Sequence, residues 1–167
     1  RINNRKVLNG FFAILGLTEK AGDVMRTVDK LEKIGAAKVK EILTEDFGVS
    51  AETADELLAF IATPGGTEGI LAALEAYRGR NEVFDAGADE LKTVATYMAA
   101  FGVPADHFEI DLTIARGLDY YTGTVYETTM LDHPEIGSIC SGGRYDNLAE
   151  YYTDKQLPGV GISIGLT

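Results

Sequence analysis

The sequence predicts an α+β fold, in which helices are segregated from an antiparallel sheet. A mostly helical segment, over roughly residues 20–100, precedes a strand-rich one. Apolar spacing changes from the helical period to strict alternation at Phe108. The later strands are joined by short or irregular links rather than repeated crossover helices, which argues against a doubly wound parallel sheet. At 167 residues, with 46% hydrophobic and 25% charged, the chain has ordinary globular composition and can bury a core.

The elements follow in order. Val7, Leu8, Phe11, Phe12 and Leu15 form one apolar stripe, so 3–15 reads as a helix closed by Gly16. Residues 18–22 read as a connection, and Asp23 as the N-cap of a short helix through Leu31. A second amphipathic helix spans 36–47, with Val39, Ile42, Leu43 and Phe47 on its apolar face. Ser50 caps a third, which Pro64-Gly-Gly66 ends. Thr67 begins a fourth helix, running to Gly79, and 88–101 is a fifth, stopped by Gly102 and Pro104.

Phe108, Ile110, Leu112 and Ile114 alternate with polar residues, which predicts a half-buried strand, with 124–130 as its neighbour. Ile136 to Ser141 reads as a short strand broken by Gly142-Gly143, and 145–152 as a helix. From Pro158 onward Val160, Ile162 and Ile164 alternate with Gly161, Ser163 and Gly165. Those small residues leave one strand face nearly bare, as happens where a ligand or backbone approaches closely.

Composition narrows the chemistry. A net charge of −11 argues against a general phosphate-backbone binder, so no DNA partner is expected, although a site for a small anion can oppose the total. Apolar runs such as 57–62 fall far short of the roughly 20 residues a bilayer demands, so no membrane partner is expected either. Arg1 to Lys6 carries no apolar signal core, and the single cysteine, Cys140, cannot form an internal disulfide; both fit a cytoplasmic protein. His107 and His133 do not stand at metal-ligand spacing with Cys140, so no protein-bound metal is predicted.

Two stretches carry candidate chemistry. Ser141-Gly-Gly-Arg-Tyr-Asp146 reads either as a turn before a helix cap or as backbone that comes close to a ligand. Arg116-Gly-Leu-Asp-Tyr-Tyr-Thr-Gly-Thr-Val-Tyr-Glu127 combines an arginine suited to bidentate anion binding with Tyr120 and Tyr121, whose flat faces and hydroxyls suit a planar ring. Equally, Arg116 and Asp119 could pair structurally while Thr122-Gly123 makes a hairpin. From physics alone both readings stand.

These stretches, with Arg1 to Leu8, Val24 to Leu31, Gly137 to Leu148 and Pro158 to Leu166, resemble histidyl-tRNA synthetases in the family's order across the chain. The resemblance implies a partial antiparallel sheet of the class II synthetase catalytic core, with flanking helices and a helical insertion. It divides the chain into a core helix and connection (1–23), the insertion region (24–90) and the antiparallel core portion (91–167). It further implies that histidine and ATP form histidyl-adenylate, with Mg²⁺ accompanying the ATP, and that the histidyl group then passes to tRNA-His in a homodimeric enzyme.

By this resemblance Arg116 is the catalytic arginine at the α-phosphate and the histidine carboxylate. Tyr120 and Tyr121 seat the imidazole, and the Gly142-Gly143 backbone closes the histidine pocket. The insertion would face the tRNA acceptor arm, with Arg26, Lys30, Lys33, Lys38 and Lys40 either a phosphate-facing strip or a solvated face. The family's ATP-gripping arginine loop, acidic histidine-pocket residue, dimer motif and anticodon-binding domain have no counterpart here. The arginine expected after the 161–167 run lies past its end. With no initiating Met and a stop inside a glycine-spaced run, the chain is expected to be a piece of a longer protein, inactive alone. The alternatives are a synthetase-like regulatory subunit of histidine biosynthesis and a tRNA-sensing regulatory domain, neither of which needs to keep Arg116.

Overall fold

The computed structural model describes residues 1–115 and 120–165. Among them are six α-helices and one four-stranded sheet. Strand β1 (Ile2–Asn4) leads directly into α1 (Arg5–Ile14), followed by α2 (Ala21–Val28), α3 (Leu31–Glu41), α4 (Ala51–Ile61), α5 (Gly66–Glu75) and α6 (Glu82–Ala100). The remaining strands, β2 (Thr124–Thr129), β3 (Ser138–Tyr145) and β4 (Gly159–Ile164), complete a sheet of order β1-β2-β3-β4 with antiparallel neighbours. This is the expected α+β arrangement. No helix among the described residues is long and apolar enough to cross a membrane.

Local signals set the helix ends. The Asn4 side chain accepts the Lys6 amide at 2.9 Å, which starts α1 two residues later than the apolar stripe suggests and frees Ile2–Asn4 for the sheet. At the other end Gly16 (φ 72°) lets the Gly16 and Leu17 amides reach the carbonyls of Ala13 and Phe12, a Schellman close. Asp23 lies in the first turn of α2 rather than capping it, and pairs with Arg26 at 2.6 Å. Gly35 (φ 79°) kinks α3, so its regular helical path begins at the expected Ala36 and passes through a π turn, Ile42–Asp46. Ser50 caps α4, its hydroxyl accepting the Thr53 amide at 3.1 Å. The last helix starts six residues before the expected Ala88. Asn81 accepts the amides of Val83 and Phe84, at 2.9 and 3.0 Å, and a mid-helix glycine, Gly87, interrupts the helical pattern in the sequence.

That glycine has a packing cause. A Cβ on Gly87 would lie 2.6 Å from the Val7 amide nitrogen, and one on Gly10 would lie 2.6 Å from the Phe84 Cα, so α1 and α6 cross backbone against backbone. Around the crossing Phe11 stacks on Phe60 at 3.7 Å, while Tyr77 meets both rings edge-on. The core formed there is continuous across all the helical elements from α1 to α6.

Three strand-region expectations need correction. Residues 108–114 keep their apolar side chains inside, with Ile110, Leu112 and Ile114 buried, but form no regular strand. Only Ile110 bridges Ile2, in parallel. The Asp111 carboxylate then accepts the Thr113 amide (2.9 Å) and hydroxyl (2.6 Å), which turns the backbone off the ladder. Their expected neighbour β2 pairs instead with β1 and β3. Second, β3 runs straight through Gly142-Gly143 rather than breaking there. Third, Tyr145 still pairs with Gly159, so the helix expected at 145–152 is reduced to a 3₁₀ turn, Leu148–Tyr151.

Candidate functional site

The two faces of the sheet do different work. On one, Ile2, Tyr126, Gly142 and Ile162 stand in a row across the four strands; Ile2 and Tyr126 pack onto the helical core. On the other the row is Asn3, Val125, Gly143 and Gly161. Over this face lies a separate small cluster of Ile114, Tyr121 and Val125, with Tyr145 against it. Gly161, at the end of that row, belongs to the small-residue series expected to leave a face bare.

The bare positions are filled by rings. A Cβ on Gly143 would meet the Tyr121 ring at 2.7 Å and the Thr124 carbonyl at 2.8 Å; one on Gly159 would meet the Tyr145 ring at 2.5 Å. Tyr121 is buried, and Tyr120 beside it is 39% exposed. Their ring centroids are 4.4 Å apart and inclined by 49°, with the Tyr120 hydroxyl donating to that of Tyr121 at 3.3 Å. Tyr145 stands edge-on to Tyr120 at 6.4 Å. The result is a wall of three phenol rings, one of them open to solvent, over a floor of glycine backbone. Such a surface can hold a planar ring by its faces and a polar edge by hydroxyls and peptide groups.

The structure thus brings Tyr120, Tyr121 and Gly143 together. Gly142 belongs to the opposite face, where a Cβ would meet the Tyr126 hydroxyl at 2.5 Å. That hydroxyl donates to the Gly161 carbonyl at 2.7 Å, and burial, with a smaller contribution from Cys140, raises its pKa. Arg116, Asp119, Leu166 and Thr167 lie outside the described residues. Tyr145 was not singled out from sequence. Its signal was the Gly159 and Gly161 spacing, which leaves room for a ring only once the β3–β4 register is known.

Thr122-Gly123 is not a hairpin turn, since β2 pairs with β1 and β3 rather than with residues 108–114. The Thr122 amide donates to the Arg144 carbonyl at 2.9 Å, and its hydroxyl to Asp146 at 2.6 Å. That hydrogen bond, reinforced by Arg144 at 2.9 Å, holds the Asp146 carboxyl below the ordinary range. The segment that follows the tyrosines is thereby tied to the end of β3.

Two other regions compete poorly as sites. A cavity of about 890 Å³ is lined by Thr67, Val94, Met98, His107, Tyr126 and Leu131, and contains none of Tyr120, Tyr121, Gly142 and Gly143. Its histidine is engaged by Asp106 at 2.8 Å. In the basic strip of the helical region, Arg26 pairs with Asp23, Lys38 with Glu41 and Lys40 with Asp55, which favours a solvated face. Among the described residues no three His, Cys, Asp or Glu side chains gather to hold a metal ion.

Comparison with known proteins identifies the family and the fold. The family model for histidyl-tRNA synthetase matches residues 2–167. A histidine–tRNA ligase of Clostridium tetani is 53% identical over the whole of this chain, which covers 38% of that protein. The crystal structure of histidyl-tRNA synthetase from Nostoc sp. PCC 7120 superposes with a TM-score of 0.93 at 47% identity, over 99% of this chain and 39% of that one. A structure from Bacillus halodurans, described as an ATP phosphoribosyltransferase regulatory subunit/histidyl-tRNA synthetase, shares the fold at 22% identity and a TM-score of 0.75. This chain spans little more than a third of the length of the curated relatives it matches. With the family's sequence pattern running from end to end and its sheet reproduced, the chain belongs to the histidyl-tRNA synthetase family.

Proposed function

We propose that the protein containing this chain is a histidine–tRNA ligase, and that the chain supplies one wall of its histidine site. The observation that carries this reading is the identity of about half of all positions, end to end, to a histidine–tRNA ligase. The tyrosine-over-glycine arrangement is its structural counterpart. Tyr120 and Tyr121 seat the imidazole, and the backbone around Gly142 and Gly143 closes the pocket. A site that hydrogen-bonds the imidazole edge rejects isosteres strongly, because they leave buried polar groups unpaired.

Arg116 lies at the α-phosphate of ATP and the carboxylate of histidine. The carboxylate oxygen attacks the α-phosphorus, and pyrophosphate leaves with the electron pair of the broken bond. A terminal ribose hydroxyl of tRNA-His then attacks the acyl carbon and gives up its proton, and AMP leaves with the electron pair of the broken bond between the acyl carbon and its phosphate oxygen. The first step depends more on positioning and charge stabilisation than on proton transfer, which suits a guanidinium that never loses its charge. Mg²⁺ accompanies the ATP and neutralises phosphate charge; no ligand for it is assigned to this chain. Residues 24–90 are the insertion facing the tRNA acceptor arm, and the enzyme works as a cytoplasmic homodimer. The isolated chain does not make histidyl-adenylate, because the grip on ATP comes from elsewhere in the protein.

The test is aminoacylation of tRNA-His by the full-length protein and its Arg116→Ala variant. The expected loss in kcat is about 10²–10³-fold, the scale of removing one transition-state charge donor. Undiminished charging by the variant overturns the role of Arg116.

A further inference from the structure

We propose that Asn3 and Arg5 are positioning residues for the histidine seat, acting through the segment 112–115. The inference rests on the assignment of Tyr121 to histidine made above. Asn3 is fully buried and Arg5 nearly so. The Asn3 carboxamide donates to two carbonyls, Leu112 at 3.2 Å and Ile114 at 2.9 Å, and accepts the Asn4 amide at 2.7 Å. Arg5 Nη1 donates to the next carbonyl, Ala115, at 3.1 Å.

The need for such a clamp follows from the fold. Beyond the bridge at Ile110 the chain has left the sheet, so the carbonyls of 112–115 have no ladder to satisfy them. Buried acceptors without partners are costly, and the Asn3 and Arg5 donors that reach these carbonyls remove that cost. Two side chains of β1 and α1 therefore hold backbone that would otherwise choose among several paths. What they hold matters: Ile114 packs its side chain against Tyr121 and Val125. Asn3 itself stands in the same cross-strand row as Val125 and Gly143, the floor beneath Tyr121. The segment also ends where Arg116 begins in the sequence. Displacing it moves one side of the seat, and shifts on the order of 1 Å in such supports cost about 10²-fold in related settings.

The test uses histidine-dependent ATP–pyrophosphate exchange by the full-length protein, comparing Asn3→Leu, Tyr121→Ala and the double variant. Asn3→Leu keeps the volume and removes the donors. It should raise KM for histidine about tenfold, the scale of losing hydrogen bonds to buried carbonyls, and leave KM for ATP unchanged. A merely structural role would move both constants or neither. Because Asn3 acts through Tyr121, adding Asn3→Leu to Tyr121→Ala should add little to the histidine effect. If Tyr121→Ala leaves KM for histidine unchanged, the seat itself is misassigned and this inference falls with it. If Tyr121→Ala raises it while Asn3→Leu raises neither constant, raises both alike, or multiplies fully with Tyr121→Ala, the inference alone is overturned. Should Asn3→Leu fail to fold, Arg5→Lys decides: it keeps the charge and shortens the reach. A rise in histidine KM supports the clamp, and an unchanged value overturns it.

Discussion

The helical layer and the sheet are built on opposite principles. The helices fill their space with large side chains: Phe11, Phe60 and Phe84 are buried, and α1 meets α6 so closely that only glycine fits at Gly10 and Gly87. The sheet leaves one face to Gly143, Gly159 and Gly161, which lie under tyrosine rings, and exposes Val160, Ile162 and Ile164 on β4. In the helices glycine lets two backbones touch; in the sheet it lets a ring lie on a strand. The first use serves stability, and the second shapes a surface that can take a planar ligand.

This contrast predicts that substitutions in the two regions separate cleanly in the full-length protein. Phe60→Ala removes a stacked, buried ring from the helical core and should cost about 3–5 kcal/mol in chemical denaturation. Its KM for histidine should stay unchanged; a raised value would mean that the helical core shapes the site. Gly87→Ala drives a Cβ into the Val7 backbone, which cannot yield as a flexible side chain could, and should cost about 1–3 kcal/mol with histidine KM again unaltered.

Asp111 joins the two regions. Burial alone would raise its pKa, but hydrogen bonds from Thr113 and the nearby Arg1 outweigh that and hold the carboxyl below its ordinary range. Arg1 also pairs with Glu32 on α3, so the link spans from the sheet edge to the helices. A depressed carboxyl pKa contributes stability that is fully present above the unfolded value of about 3.9 and is lost as pH falls through the folded one. Asp111→Asn should therefore cost about 1–3 kcal/mol at neutral pH and flatten the acid limb of the stability curve. An acid limb as steep as that of the parent would show that Asp111 does not carry it. Ser50→Ala, which removes only a helix cap far from the sheet, should cost about 1 kcal/mol and nothing in activity.

Much of this contrast can be read from the sequence because its causes are local. Ser50 as a cap, Gly16 as a helix end and the break at Pro64-Gly65 are each set by a residue's own backbone chemistry. So is the small-residue alternation of β4. The failures are non-local. Residues 108–114 have the alternation of a strand, and their burial follows it, but whether a ladder forms depends on β1, more than a hundred residues earlier in the chain. Gly142-Gly143 has the composition of a turn, and only the cross-strand register shows that Tyr126 and Tyr121 need the space on its two faces. Asn3 and Arg5 leave no mark in the apolar pattern, because their partners are carbonyls that no pattern reports.

The central claim is that the glycine floor under Tyr121 forms part of a histidine seat. Gly143→Ala tests it most directly, since the added methyl would stand 2.7 Å from the Tyr121 ring. In ATP–pyrophosphate exchange by the full-length protein, kcat/KM for histidine should fall about a hundredfold while KM for ATP is unchanged. An unaltered kcat/KM for histidine would contradict the account.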